Sequence, residues 1–474
     1  MSGHFTLGVV EMADAVADGA VTAEALADEA LTRLAALGPR FNAIIRIDAE
    51  AARASARAVD IARAKGEPLG PLAGVPLAHK DLIYRAGRPC TGGSLIRRDF
   101  VPDITASVLE RLDAAGALDL GTLHLTEFAL SPTGFNAQLG HGLSPWNTQY
   151  GSGGSSSGSG AAVAARLVPA ALGSDTGGSI RHPSAMCGVT GLKPTNGLVP
   201  LYGAMPLAPS LDSIGPLTRT ARDAARIMTV IAGTDARDAS TLPAPALDFE
   251  GGLNGDLRGV TVAVPSGYYT ELATLEIAAL LDDSRAVLRD AGARIIETRS
   301  PDMALVNALM QVVMVVEMAT LHRRWLAERP QDYGAMVRAR MLPGLALPAT
   351  RYAEALMMRG AIARDWLASA MGEADMVHMP TLPVPVPSIA EATAGTLEEQ
   401  GVVLGRVTTM TRGINYVGLP SLSLPCGFTA NDLPAAFQLV GRPFSEPALL
   451  RAGDAYQRRT GFHTLLPPGC GPLA

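Results

Sequence analysis

Apolar residues recur at three- and four-residue steps through the alanine-rich stretch 8–65, which predicts helices, one of them capped at Thr22 with Ala23 and Glu24 following. Beyond it the pattern changes. Short apolar runs alternate with helical stretches: 77–79 reads as the end of a strand, 107–115 as a helix, 117–121 as a strand, 160–166 as a helix and 170–173 as another strand. Such alternation predicts a layered α/β sheet. A proline-rich passage at 242–257 interrupts it, 260–264 resumes as a strand, and 300–370 is predicted to be mostly helical. In that last region Met303, Met310, Met314 and Met318 recur at helical spacing, a stripe that serves either as core or as the lining of an adaptable apolar pocket. From 376 to 387 proline returns almost every second or third residue and predicts an irregular wall, before the chain rejoins the sheet at 421–425.

Composition narrows the class. With 474 residues, 48% hydrophobic and 18% charged, the chain can bury an extensive core. A net charge of -6 offers no basic face, so nucleic acid is not expected as a partner. The N-terminus has neither a basic n-region nor an apolar h-region, which argues against secretion. The most apolar stretch, 305–321, contains Asn307, Gln311 and Glu317 and is expected to be too short and too polar to span a bilayer. Four cysteines without CxxC spacing and eight histidines without a ligand pattern predict a reduced, cytoplasmic protein with no metal and no cofactor.

Two glycine/serine-rich segments, GSGGSSSGSG at 151–160 and SDTGGSIRHPSAMCG at 174–188, place serines on backbone that glycine permits. A flexible linker would have the composition of the first, but its flanks are apolar and the second holds Asp175, Arg181 and Pro183 among its turns. A serine needs a base to become a nucleophile. The window 154–158 fits the G-x-S-x-G elbow of Ser/Asp/His hydrolases, yet Asn147, Thr148, Gln149 and Tyr150 precede it instead of a buried strand, and His322, His378 and His463 stand in no telling setting. Besides a histidine, the candidate bases are a carboxylate and a lysine, Lys80 in GVPLAHKD.

The run LGSDTGGSIRHPSAMCGVTGLKPTNG, with GGSS about twenty residues before it, closely resembles the amidase signature family of serine hydrolases. So do GPLAGVPLAHKD, HLTEFAL, SPWNTQYGSGGSS, PSLDSIGPLTRTARDAA and INYVGLPSLSLPCGF, in the same order along nearly the whole chain. The resemblance implies an α/β/α sandwich around a large mixed twisted sheet. On that reading 1–65 is an N-terminal helical segment and 66–240 the core with its catalytic loops. Residues 241–375 form a strand plus helices on the substrate side, and 376–474 a C-terminal return to the core sheet. It implies Ser179 as nucleophile, Ser155 as the bridging serine after a cis peptide bond, and Lys80 as the ultimate base.

A lysine can accept a proton only when neutral, so Lys80 is predicted to be buried and free of a full carboxylate partner. The resemblance assigns the oxyanion hole to Thr176, Gly177, Gly178 and Ser179, with donors each stabilising the intermediate by roughly 3 kcal/mol. Asp175 and Arg181 are expected to support the loop as an ion pair, and Ser156 to support Ser155 through a hydrogen bond; Ser157 is a mild departure from the glycine many members carry.

The expected reaction is hydrolysis of a carbon–nitrogen bond in an amide, anilide or carbamate through a Ser-Ser-Lys acyl-enzyme. The alternative is the glutaminase subunit of a tRNA-dependent amidotransferase. Against it, His124-Leu125-Thr126 replaces the Asn-Met-Asp-like stretch of those subunits, and Thr408, seven residues before Asn415, stands where they hold an acid for the glutamine amino group. An uncharged aryl or alkyl acyl group is therefore expected, with Phe128, Leu130, Thr133 and Met314 as pocket residues. A small-molecule substrate, no nucleic acid, no membrane and at most a homodimer complete the expected partners.

Overall fold

A computed structural model describes residues 3–473. Its centre is one sheet of eleven strands in the order β1-β3-β2-β4-β6-β5-β10-β11-β9-β7-β8. In chain order these are β1 (Ile44–Ile47), β2 (Pro76–Lys80), β3 (Leu118–Leu123), β4 (Ala170–Ser174), β5 (Thr190–Lys193) and β6 (Ile214–Thr218). Then come β7 (Thr261–Ser266), β8 (Arg294–Arg299), β9 (Met376–Pro380), β10 (Ser421–Phe428) and β11 (Pro434–Gly441). The sheet is mixed: β3, β2 and β4 run parallel, as do β9, β7 and β8, while the strands between them pair antiparallel. Every residue of β2, β4, β5, β6, β9 and β11 is buried, with no inside–outside alternation. Strands buried on both faces require helices on both faces, and the α/β fold follows from that. At one edge β8 exposes Arg294 and Arg299, charges that discourage a further strand from pairing.

The N-terminal helices form at Val9–Ala17, Ala23–Leu37 and Ala49–Ala64, the second capped as predicted by Thr22, whose hydroxyl accepts from Ala25 N–H at 3.1 Å. Between them the short strand β1 was not predicted. The stretch 376–387 is not wholly an irregular wall either. Its first five residues are β9, between β11 and β7, and the prolines follow it.

The methionine stripe lies on a single helix, Met303–Glu328, longer than 305–321 suggested. By length and composition it could cross a bilayer, so the expectation of too short and too polar a segment is corrected. Here Met310, Val313 and Met318 are buried, and the helix packs against the helices Pro343–Ala346, Ala349–Trp366 and Arg412–Val417.

Candidate active site

Parallel pairing of β2 with β4, with His79 opposite Leu172, brings the ends of both strands to one rim of the sheet. Lys80 ends β2 and Ser174 ends β4. Past β4 the chain turns through Asp175–Ser179 into the helix Arg181–Cys187, and Ser155 lies one residue before Ser156, the N-cap of the helix Ser157–Ala164. Both turns need glycine. Gly178 has φ +130°, and a Cβ there would run into the His182 ring; Gly153 has φ +77°, and a Cβ there would meet the backbone of His182 and Pro183.

Lys80 has no exposed surface, and its Nζ donates to Ser155 Oγ at 2.6 Å and to Ser174 Oγ at 2.8 Å. Burial drives its pKa from 10.5 down to about 7, against the opposing pull of Asp175 and Asp212. Near neutral pH the amine therefore loses its proton readily and can accept one from the Ser155 hydroxyl. Asp81, its neighbour in sequence, is engaged elsewhere, accepting from the N–H and hydroxyl of Thr91. The peptide joining Gly154 to Ser155 is cis.

Ser179 lies alongside, its carbonyl accepting from Ser156 N–H at 3.3 Å, and it is 8% exposed at the floor of a cavity. Among the described contacts its hydroxyl makes no hydrogen bond to Ser155. A hydrogen bond to Ser155 would require its side chain to swing inward, through the staggered χ1 positions open to any serine. In ligand-free sites such bonds are often long and close on the substrate.

Two expected details are corrected. Ser156 does not bond to Ser155: its hydroxyl exchanges hydrogen bonds with Ser174, both at 3.3 Å, so it steadies the second partner of Lys80. Gly178 is not a free oxyanion donor either, because its N–H is committed to Asp175 Oδ1 at 2.8 Å. The N–H groups of Thr176, Gly177 and Ser179 donate to no protein acceptor among the described residues, which leaves three amides for a developing oxyanion. The Thr176 hydroxyl is held by Asp212, which also takes the N–H of Leu207 at 2.9 Å.

Asp175 and Arg181 form the expected pair, both fully buried, with Arg181 Nε and Nη2 each 3.0 Å from a carboxylate oxygen. Burial alone would raise the Asp175 pKa; the Arg181 charge and hydrogen bonds, with Lys193 and Asn415, outweigh it and hold the carboxyl well below the usual range. Arg181 also donates to Thr411 O, Asn415 Oδ1 and Gln438 Oε1, tying the loop to the start of the helix Arg412–Val417 and to β11. Asp175→Asn leaves that guanidinium buried without a counter-charge and is expected to lower stability by about 3–5 kcal/mol, measured by urea unfolding. A loss under 1 kcal/mol would show that Asn415 and Gln438 suffice to hold Arg181.

The cavity over Ser179 opens to solvent and is lined in part by Leu130, Thr176, Met310, Met314, Arg340 and Arg412. Leu130 and Met314, expected as pocket residues, are in that lining. The stripe thus divides, with Met310 and Met314 in the wall and Met303 and Met318 in the core. Phe128 and Thr133 are not lining residues. The turn at Phe128 and Ala129, φ +49° and +61°, sends the phenyl ring into the core against His322, Trp325 and Tyr333, with ring centroids 4.4–5.8 Å away. The Thr133 hydroxyl pairs with that of Ser131 at 3.2 Å. Sequence reasoning missed Ser174, Asp212, Arg340 and Arg412. The first had a local signal, ending an apolar run just before DTGGS; the arginines had none.

The family model described as Amidase matches residues 25–450. The A-subunit of the glutamyl-tRNA(Gln) amidotransferase of Chloroflexus aggregans is 39% identical over 476 residues, 96% of each chain. Among solved structures, one described as an unexpected vestigial protein complex revealing the evolutionary origins of an s-triazine catabolic enzyme is 32% identical, covers 96% of this chain and 98% of that one, and has a TM-score of 0.88. A peptide amidase in complex with the competitive inhibitor chymostatin is 29% identical over 96% of this chain and 97% of that one, with a TM-score of 0.82. The expectation of no nucleic acid and no partner beyond a second copy does not stand, because such relatives are by name subunits of an assembly whose substrate is an aminoacyl-tRNA. Overall charge does not report on this, since the net charge of one chain does not register which other chains it assembles with.

Proposed function

This chain belongs to the amidase signature family, and from that premise we propose that it is the amide-cleaving subunit of a larger assembly, hydrolysing a carbon–nitrogen bond through an acyl-enzyme. The observation that carries the reading is the buried Lys80 amine, 2.6 Å from Ser155 Oγ beside Ser179. Ser179 attacks the carbonyl while Ser155 takes its proton and passes its own to Lys80. The amides of Thr176, Gly177 and Ser179 receive the oxyanion, the proton returns along the same path to the leaving nitrogen, and water reverses the sequence.

Two donors compete. The relatives' names favour glutamine; the apolar wall of Leu130, Met310 and Met314 suits an aryl or alkyl amide or carbamate. An ammonia-release assay on glutamine, a primary aryl amide and a primary alkyl amide, with product acid measured for an anilide and an aryl carbamate, separates them. Turnover of none of these overturns the hydrolase reading. Membership of an assembly rests on the relatives, and its check is the mass of the tagged chain purified from its own cells. A second polypeptide in stoichiometric amount is expected, and a lone peak at 49.1 kDa overturns it.

A further inference from the structure

The cavity above Ser179 continues outward into a vestibule, and the two share Gln311, Arg340, Thr408 and Arg412. The guanidiniums of Arg340 and Arg412 therefore stand at the neck between Ser179 and solvent. No aspartate or glutamate lines the inner chamber, and the one acid lining the vestibule, Glu398, makes no salt bridge to either arginine among the described residues. Arg340 donates to the carbonyl of Leu130 at 2.8 Å, and burial, with the Arg412 charge adding to it, lowers its pKa to about 10. Arg412 Nε is buried with no acceptor among the described residues. Arg340 is held in place from the core, since its helix, Ala335–Met341, begins at Gly334, whose N–H donates to Glu127 Oε2 at 2.9 Å.

Two like charges brought together without a counter-ion are unfavourable unless something negative joins them. A carboxylate does so best, because a guanidinium offers parallel N–H donors that match its two oxygens. We propose that Arg340 and Arg412 form an anion subsite, so that the substrate is an amide whose far end carries a carboxylate and which bears no ammonium group. This rests on the amide-cleaving reading above and names its substrate class. It replaces the expectation of an uncharged acyl group, which considered Thr408 alone and could not see the arginines on either side. It also separates this site from one for glutamine, whose α-ammonium would lie beside two guanidiniums with no acid in the inner chamber to receive it.

Three amides of equal length isolate the two charges: pentanamide has neither, glutaramate has the carboxylate, and glutamine has the carboxylate and the ammonium. With the full-length chain, kcat/KM for glutaramate is expected to exceed that for each of the others by at least about tenfold. Arg340→Gln and Arg412→Gln are expected to bring the glutaramate-to-pentanamide ratio close to one, mainly through KM. Calorimetric titration of Ser179→Ala with the same compounds reads binding without turnover, and only glutaramate is expected to bind measurably. Pentanamide turnover without preference for glutaramate overturns the subsite and leaves amide hydrolysis standing. Selective binding of glutaramate without ammonia release does the reverse. Glutamine binding as tightly as glutaramate, or no binding of any of the three, overturns the subsite.

Discussion

Ser179→Ala is expected to lower amide hydrolysis by at least about 10⁴-fold while substrate still binds, because removing the nucleophile ends the acyl-enzyme route and leaves only binding and oxyanion stabilisation. The position is set by the loop rather than by the serine. Asp175 holds the N–H of Gly178 at 2.8 Å and of Ile180 at 3.1 Å, and Ser156 N–H holds the Ser179 carbonyl, so alanine changes little besides the hydroxyl. Ser155→Ala should also be severely impaired but for another reason, since Ser179 then has no hydroxyl through which to reach Lys80. The two are told apart by labelling with a sulfonyl fluoride and locating the adduct by mass spectrometry. Modification is expected at Ser179; an adduct at Ser155 reverses the roles and removes the proposed relay.

Lys80→Met should make the enzyme both slower and more stable. General base catalysis contributes about 10²–10⁴-fold, and the loss is expected near the upper end because Lys80 is the only titratable side chain that touches Ser155 among the described contacts. In the wild type, kcat/KM should rise with pH through about 7, as the amine loses its proton, and level off above it. The stability effect follows from the same shift. Between about 7 and 10.5 the unfolded chain keeps a proton on this lysine that the folded chain has lost, so the lysine's contribution grows more favourable with rising pH, and the full penalty applies below 7. Methionine removes that penalty and also removes the hydrogen bonds to Ser155 and Ser174. The net gain at pH 7 is expected to be on the order of 2 kcal/mol, shrinking towards pH 10. Urea unfolding of both proteins at pH 7 and pH 9.5 provides the check. An advantage that stays constant with pH, or a rate profile rising only near 10, would mean that Lys80 is charged in the folded protein.

The residues proposed to do chemistry were legible in the sequence because their signal is local. Lys80 sits at the end of an apolar run, and Ser155 and Ser179 among glycines whose backbone freedom the turns require, so a short window carries the whole pattern. The alternation of strands and helices fixed the layered class for the same reason. Strands β5, β6 and β11 escaped notice because central strands buried on both faces do not alternate, and two of them contain proline; β9 was taken for a wall because of the prolines after it. Tertiary structure alone decided what surrounds the serines. Phe128 left for the core on a positive-φ turn, Gly178 gave its amide to Asp175, and Arg340 and Arg412 arrived from distant helices to meet in one cavity without a counter-charge. Hydrophobic period records which face of a helix is buried, but not which other helix it will pack against; that is set by contacts between residues hundreds of positions apart, on which no local pattern in this chain reports.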